Sequence, residues 1–110
     1  MKRTTALWLS MLALAALGAA PAPRAYVGVV TDTMCRLNHA QMNVDPQDKC
    51  VLDCVRYGRN VKFALAVGTN VYTLSDQQTP SRFAAKKVKV TGTLYAKTNV
   101  LKVDRIEAVR

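Results

Sequence analysis

The sequence lacks the short motifs by which many small enzymes and cofactor-binding proteins are identified. It has no glycine-rich phosphate loop, no His-Glu-x-x-His segment and no Cys-x-x-Cys-His haem attachment motif. It also has no Cys-x-x-Cys pair within a βαβ pattern, the arrangement typical of thioredoxin-like oxidoreductases. These absences argue against nucleotide hydrolysis, zincin-type proteolysis and c-type haem binding, and we expect no catalytic activity.

The N-terminus lacks a hydrophobic run long enough for a membrane span. Lys2 and Arg3 form a basic start, residues 6–17 are almost entirely apolar, and residues 18–25 are mostly small residues and prolines. A transmembrane helix needs about 20 apolar residues, whereas this three-part pattern is typical of a secretory signal peptide. We therefore expect residues 1–25 to be a signal peptide and residues 26–110 to form a periplasmic or secreted domain. No cysteine lies near the cleavage region, so we expect no lipoprotein anchor.

Acidic residues are scarce, with 7 Asp and Glu against 16 Lys and Arg, which gives a formal net charge of +9. Removing three basic residues, Lys2, Arg3 and Arg24, and no acidic one lowers this charge to +6. The other basic residues are dispersed apart from a cluster at residues 86–89, which argues against a dedicated nucleic-acid interface. We expect no nucleic-acid partner and no membrane association after signal cleavage, and the sequence does not specify a protein or small-ligand partner.

The three cysteines and the single histidine are concentrated in one segment, residues 32–58. They form two pairs with helical i, i+4 spacing: Cys35 with His39, and Cys50 with Cys54. On a helix, the two side chains of each pair project from the same face. Two such turns brought together present three sulfurs and one imidazole, the ligand set of a tetrahedral Cys3His site. The sequence therefore predicts a metal site with no open coordination position.

Structural zinc is the predicted ion, because zinc favours sulfur-rich tetrahedral sites and adds folding free energy to small domains. Copper(I) is an alternative, since it also prefers soft ligands. Met34 and Met42 flank the motif as auxiliary thioether ligands, although methionine more often fills gaps in a core. Asp32 is a further auxiliary residue and is predicted, with Thr33, to cap the first helical turn.

The odd number of cysteines leaves two alternatives open. In an oxidising compartment Cys35 pairs with Cys50 or Cys54, and the protein is a ligand-binding barrel stapled by one disulfide, with no metal. A bridge between Cys50 and Cys54 within an intact helix has poor geometry. The second alternative is a periplasmic thiol-redox or copper-handling protein, in which Cys50 and Cys54 cycle and His39 assists.

Outside this segment, β-branched and alternating stretches predict five short strands, at residues 25–31, 61–67, 71–74, 87–95 and 100–109. The second helix of the cysteine segment is expected to begin at Asp45-Pro46 and end at Gly58, and a helical turn is expected at residues 81–85. The order predicts a mainly β fold, a small five-stranded OB-like barrel with a two-helix insertion after the first strand. An open antiparallel sheet with helices packed on it is the alternative.

Three positions predict irregularities in these strands. Gly28 and Gly92 interrupt β-branched stretches, which indicates bulges or close approach of another backbone. In the last strand the apolar positions change phase between Val103 and Ile106, which predicts a bend or bulge near Asp104.

These motifs together resemble a family of small exported bacterial proteins of unknown function. Its members combine a Gly-x-Val-x-Asp-x-x-Cys-x3-His start, a Cys-x3-Cys helix and a Val-x-Val-x-Gly-x-Leu run, which stand here at residues 28–39, 50–54 and 88–94. The likeness covers nearly all of residues 26–110. It implies the same OB-like domain with the four-residue cluster, and it implies no particular activity.

Overall fold

The protein is described by a computed structural model that covers residues 21–37 and 47–109. Five strands, one α-helix and one 3₁₀ helix follow in the order β1 (Arg24–Asp32), α1 (Gln47–Tyr57), β2 (Phe63–Val67), β3 (Asn70–Leu74), the 3₁₀ helix (Thr79–Phe83), β4 (Lys87–Tyr95) and β5 (Val100–Ala108). Most of the predicted signal peptide, residues 1–20, lies outside the described residues. Within them, no helix has the length and hydrophobicity needed to cross a membrane.

The five strands form one sheet that closes into a ring in the order β1-β2-β3-β5-β4, with β4 paired back to β1. Neighbours are antiparallel except β3 and β5, which run parallel. The predicted mainly β class and the five strands are confirmed. β1 begins at Arg24, which pairs with Gly92, so a signal peptide ending at residue 25 would include the first two residues of this strand.

The strands form because apolar and polar side chains alternate along them, so that the apolar face of the sheet is buried inside the ring. In β4, Val88 and Val90 are fully buried while Lys87 is exposed and Lys89 is half-exposed on the opposite face. Burying one such aliphatic side chain contributes about 1.5–3 kcal/mol. The fully buried centre also includes Val30, Val51, Leu65, Leu74 and Leu101. The core is therefore enclosed by the sheet, with one contribution from α1.

The predicted irregularity in β5 is a bulge. Thr91 pairs with Arg105 and the next residue, Gly92, pairs with Val103, so Asp104 is an extra residue in β5. A side chain at Gly92 would collide with the carbonyl oxygen of Lys102. The glycine thus permits the close approach of β5 that the bulge requires.

The first of the two predicted helices does not form at Cys35, within the residues that the structure describes. Residues 33–37 form a turn, and Arg36 has a φ of 55°. This left-handed conformation ends a right-handed helical turn after its first residues. The second predicted helix is α1, which ends before Gly58, whose N–H donates to the carbonyl of Cys54 at 2.9 Å. Its predicted start, Asp45-Pro46, lies outside the described residues.

Two side chains after β3 hold the chain as it leaves the sheet. The Gln77 amide accepts from the Phe63 N–H at 2.8 Å and donates to the Phe63 and Leu74 carbonyls at 3.0 and 2.7 Å. Asp76 accepts the N–H groups of Gln78 and Thr79 at 2.9 and 3.0 Å. These contacts lead directly into the 3₁₀ helix, which lies close to the predicted helical turn.

Candidate metal site

All three cysteines meet between the end of β1 and helix α1. Their Sγ atoms lie within 4.8 Å of one another, and the Sγ atoms of Cys35 and Cys54 are 3.5 Å apart. Cys35 is 8% exposed, Cys50 is 1% exposed and Cys54 is half-buried. The three sulfurs are close enough to bind one metal ion. Two other predicted residues, His39 and Met42, lie outside the described residues.

Helix α1 supplies two of the sulfurs from one face. Cys50 and Cys54 are one turn apart, and the neighbouring Val51 is fully buried against the strand core. On the solvent side, Lys49 and Asp53 form an exposed i, i+4 ion pair at 2.6 Å. The apolar anchor and the solvated pair together orient the helix so that its cysteines face the end of β1.

Cys35 is positioned by Asp32, the last residue of β1. The fully buried Asp32 carboxylate accepts the N–H groups of Met34 and Cys35 through one oxygen, at 2.8 and 2.7 Å. Its backbone carbonyl accepts the Arg36 N–H at 3.0 Å. The predicted capping role of Asp32 is therefore confirmed, although it caps a single turn rather than a helix.

Further contacts that the sequence analysis missed fix the same turn. The Thr31 hydroxyl donates to the Arg36 carbonyl at 2.6 Å. The Thr33 N–H donates to the Lys62 carbonyl at 2.9 Å, and the Lys62 N–H donates back to the Thr33 hydroxyl at 3.1 Å. Threonines beside a strand end often bind nearby backbone in this way. Their density at residues 31–33 was the one sequence signal for a rigid turn.

The thiols sit in an environment that opposes ionisation in the absence of a cation. Burial raises the pKa of Cys35, and its contact with Cys54 and the charge of Asp32 raise it further. Burial also raises the pKa of Cys54, with Asp32 acting in the same direction and the contact with Cys35 opposing it. Metal-free, these two cysteines are protonated at neutral pH. Thiolates form here only when a positive charge compensates them.

Met34 does not have the packing role favoured for it by the sequence. Its side chain is 59% exposed, so it fills no gap in the core. The turn capped by Asp32 directs this position outward while the next residue, Cys35, is buried.

A cavity of about 330 Å³ lies on the other side of α1, away from the sulfurs. Its walls are Leu52, Asp53, Val55, Arg56, Phe63 and Ser81. Residues 52, 55 and 56 fall on the helix face opposite residues 50 and 54, because successive residues rotate by about 100°. The cavity and the cysteine cluster are therefore separate features.

Comparisons with known proteins assign no relatives. The chain matches no family model, and searches of curated proteins and of solved structures gave no significant match. The functional argument accordingly depends on the geometry of the site.

Proposed function

We propose that the chain is an exported, non-catalytic domain in which Cys35, Cys50 and Cys54 bind one structural zinc ion, with His39 as the fourth ligand. The observation that carries this proposal is the grouping of three sulfurs from two separate segments within 4.8 Å.

The sulfur separations suit coordination to a shared ion. Ligands placed tetrahedrally at the Zn–S distance of about 2.3 Å are about 3.8 Å from one another. The 3.5 Å separation of Cys35 and Cys54 and the upper limit of 4.8 Å for the group bracket this value. A disulfide would require about 2.05 Å between two of the sulfurs.

The charge around the sulfurs favours a divalent ion. Three thiolates beside the buried carboxylate of Asp32 concentrate negative charge in a region with little solvent. Zinc compensates twice the charge that copper(I) does, and buried charge is costly unless it is compensated. Copper(I) remains the alternative ion, because three soft sulfurs also suit it.

The ion would have a structural role, because it would join two separate elements of the fold. The turn at residues 33–37 belongs to the end of β1, whereas Cys50 and Cys54 belong to α1. Apart from the sulfurs, α1 meets the core mainly through Val51 and Val55. A bound ion would therefore fasten the helix to the sheet and add its binding energy to folding.

His39 is the proposed fourth ligand because it is the only histidine and follows Cys35 by four residues. A neutral imidazole completes a closed Cys3His set, which leaves no position for substrate. The proposal for Met34 is weaker, since Met34 is largely exposed to solvent whereas Cys35 and Cys50 are buried.

We further propose that the closed ring is an OB-like barrel. Five strands, the return of β4 to β1 and a short helix between β3 and β4 support this assignment. Export is proposed from the pattern of residues 1–25, and it implies a periplasmic or secreted location. The resemblance to small exported bacterial proteins of unknown function supports the same architecture.

The test is metal analysis of the purified, reduced protein. We expect one zinc per chain and, after replacement by cobalt(II), the visible absorption of a tetrahedral thiolate site. Cys50→Ser and His39→Gln should each weaken zinc binding by at least about tenfold, and His39→Gln should shift the cobalt spectrum. Leu37→Ala is the control, because Leu37 is 51% exposed, and it should leave both unchanged.

Three results would contradict the zinc site. Stoichiometric copper in place of zinc would support the copper-handling alternative. Two cysteines that resist alkylation without any metal would support the disulfide-stapled barrel, and the cavity beside α1 would then be the place to search for its ligand. An unchanged cobalt spectrum in His39→Gln would remove His39 from the ligand set while leaving the three cysteines in place.

A further inference from the structure

We propose that Cys35 and Cys54 are a redox pair, and that their oxidation to a disulfide empties the metal site. This inference rests on the proposed function, because it concerns what controls occupancy of the same sulfurs. It also replaces Cys50 and Cys54, the pair that the sequence suggested for thiol chemistry.

The two sulfurs that would join are already in contact. The Sγ atoms of Cys35 and Cys54 are 3.5 Å apart, so a disulfide of about 2.05 Å requires a closure of about 1.5 Å. The residues are 19 positions apart and belong to different elements, the turn after β1 and helix α1. The cross-link would therefore join two elements whose sulfurs are already adjacent.

The alternative pair within α1 is disfavoured by helix geometry. Residues four apart on a helix have Cβ atoms about 5–6 Å apart. A disulfide needs Cβ atoms about 3.5–4.5 Å apart. Joining Cys50 to Cys54 would distort the helix that Val51 anchors in the core. A bridge from Cys35 to Cys50 would use the least exposed sulfur of the three, so Cys50 is the thiol that stays reduced.

The solvent exposure of the three cysteines determines which sulfur reacts first. Cys54 is half-buried, whereas Cys35 and Cys50 are 8% and 1% exposed. A small disulfide such as oxidised glutathione therefore reaches Cys54 first. The Cys54 thiolate attacks one sulfur of this oxidant, forming a mixed disulfide and releasing one small thiolate.

The second step forms the protein disulfide. The Cys35 thiolate attacks the Cys54 sulfur of the mixed disulfide and displaces the second small thiolate. In total, two electrons pass from the two cysteine sulfurs to the small disulfide, which becomes two thiolates. Disulfide sulfurs are poor zinc ligands, so one thiolate of the three remains and the Zn²⁺ ion leaves with its charge unchanged.

The experiment titrates the zinc-loaded, reduced protein with oxidised glutathione. Zinc is measured before oxidation, and its release is followed with a chromophoric chelator. The cross-link is identified by proteolysis and mass spectrometry without reduction. We expect one zinc released per Cys35–Cys54 cross-link, one alkylatable cysteine, Cys50, and recovery of zinc binding after reduction.

Variants separate this pairing from other oxidation products. Cys50→Ser should still form the Cys35–Cys54 cross-link, whereas Cys35→Ser and Cys54→Ser should not form an intramolecular cross-link. If Cys50→Ser fails to fold, the peptide map of the wild-type protein decides the pairing alone. Leu37→Ala is the control for a change near Cys35, because Leu37 is 51% exposed, and it should release zinc as the wild type does.

Several outcomes would overturn the inference, and they differ from failure of the zinc proposal. A first cross-link from Cys50 to either other cysteine, or zinc retained after Cys35 and Cys54 are joined, overturns the redox pair while the zinc site stands. Absence of zinc from the reduced protein before any oxidant is added overturns the zinc proposal, and with it the release step.

Discussion

The strand ring and the cysteine segment bury different kinds of atoms. The ring encloses aliphatic side chains such as Leu65 and Val90, which are held by strand pairing on both sides. The described part of the segment places two buried thiols, one half-buried thiol and a buried carboxylate together, and Val51 is the one fully buried aliphatic side chain that this part adds to the core. Apolar burial stabilises the ring without any cofactor, whereas thiolates placed beside a buried carboxylate need a cation to compensate their charge.

Metal removal should have the largest effect and should separate the two regions. Chelation of zinc under reducing conditions removes a contribution that is about 10–16 kcal/mol in small zinc domains. We expect the amides of α1 to lose protection in hydrogen exchange while those of β4 and β5 keep it. Equal loss of protection in both regions would show that the ring also depends on the ion.

Truncation of a core side chain should instead destabilise the ring. Leu65→Ala removes a fully buried side chain and should lower the free energy of unfolding by about 2–5 kcal/mol, as measured by chemical denaturation. Leu52→Ala on α1 is the control, because this leucine is 38% exposed and should change stability by about 0.5 kcal/mol or less. A larger loss in Leu52→Ala than in Leu65→Ala would reverse the comparison.

Two substitutions at Asp32, which lies where the ring meets the cysteine segment, test how the two regions are joined. Asp32→Ala removes the acceptor of two backbone N–H groups and should cost about 2 kcal/mol and weaken zinc binding. Asp32→Asn keeps an oxygen acceptor, so it should retain most of the stability. Denaturation and zinc titration of both variants check this, and equal losses would mean that the charge matters more than the hydrogen bonds.

Alkaline pH should destabilise the metal-free cysteine segment selectively. The raised pKa values of Cys35 and Cys54 keep these thiols protonated in the folded state, while the unfolded chain ionises near pH 8.5. The stability is therefore fully present below about pH 8 and decreases as the pH rises, by about 1.4 kcal/mol per unit for each thiol. Denaturation of the reduced, metal-free protein from pH 7 to 10 measures this decrease, and a Cys35→Ser, Cys54→Ser double variant should show less of it.

The smallest expected effect is at Asp76, which lies in the connection between β3 and the 3₁₀ helix. Its pKa is lowered because hydrogen bonds from Thr79 and from the backbone of Gln78 and Thr79 outweigh the opposing effect of burial. Asp76→Ala should cost about 0.5–1 kcal/mol at pH 7. This contribution is present above the unfolded pKa of about 3.9 and is lost as the pH falls through the lower folded pKa. A stability difference that persists unchanged at pH 2 would contradict the assignment.

Much of the ring was predictable because its strands carry the period-2 pattern that a closed sheet requires. Val88 and Val90 point inward as their alternation indicates, and the phase change near Asp104 is an actual bulge. The sequence could not give the bounds of β1 at Arg24 or the 3₁₀ form of the helix at residues 79–83, because both depend on strand pairing and capping contacts elsewhere.

The cysteine segment was predicted less well. The spacing of Cys50 and Cys54 indicated their shared helix face, which α1 confirms. The predicted helix at Cys35 was wrong because the side chains of Thr31 and Asp32 bind the following backbone and Arg36 turns left-handed. At this position the local side-chain hydrogen bonds outweigh helical propensity. The i, i+4 spacing of Cys35 and His39 does not by itself indicate this competition.

The amide of Gln77 has a consequence for how this protein behaves among copies of itself. By accepting from and donating to Phe63, it behaves like a neighbouring strand at the point where β2 begins. A backbone already satisfied in this way offers no template for a foreign strand, and such templates are what drive intermolecular sheet growth. One side chain therefore removes a place at the start of β2 where a foreign strand could pair.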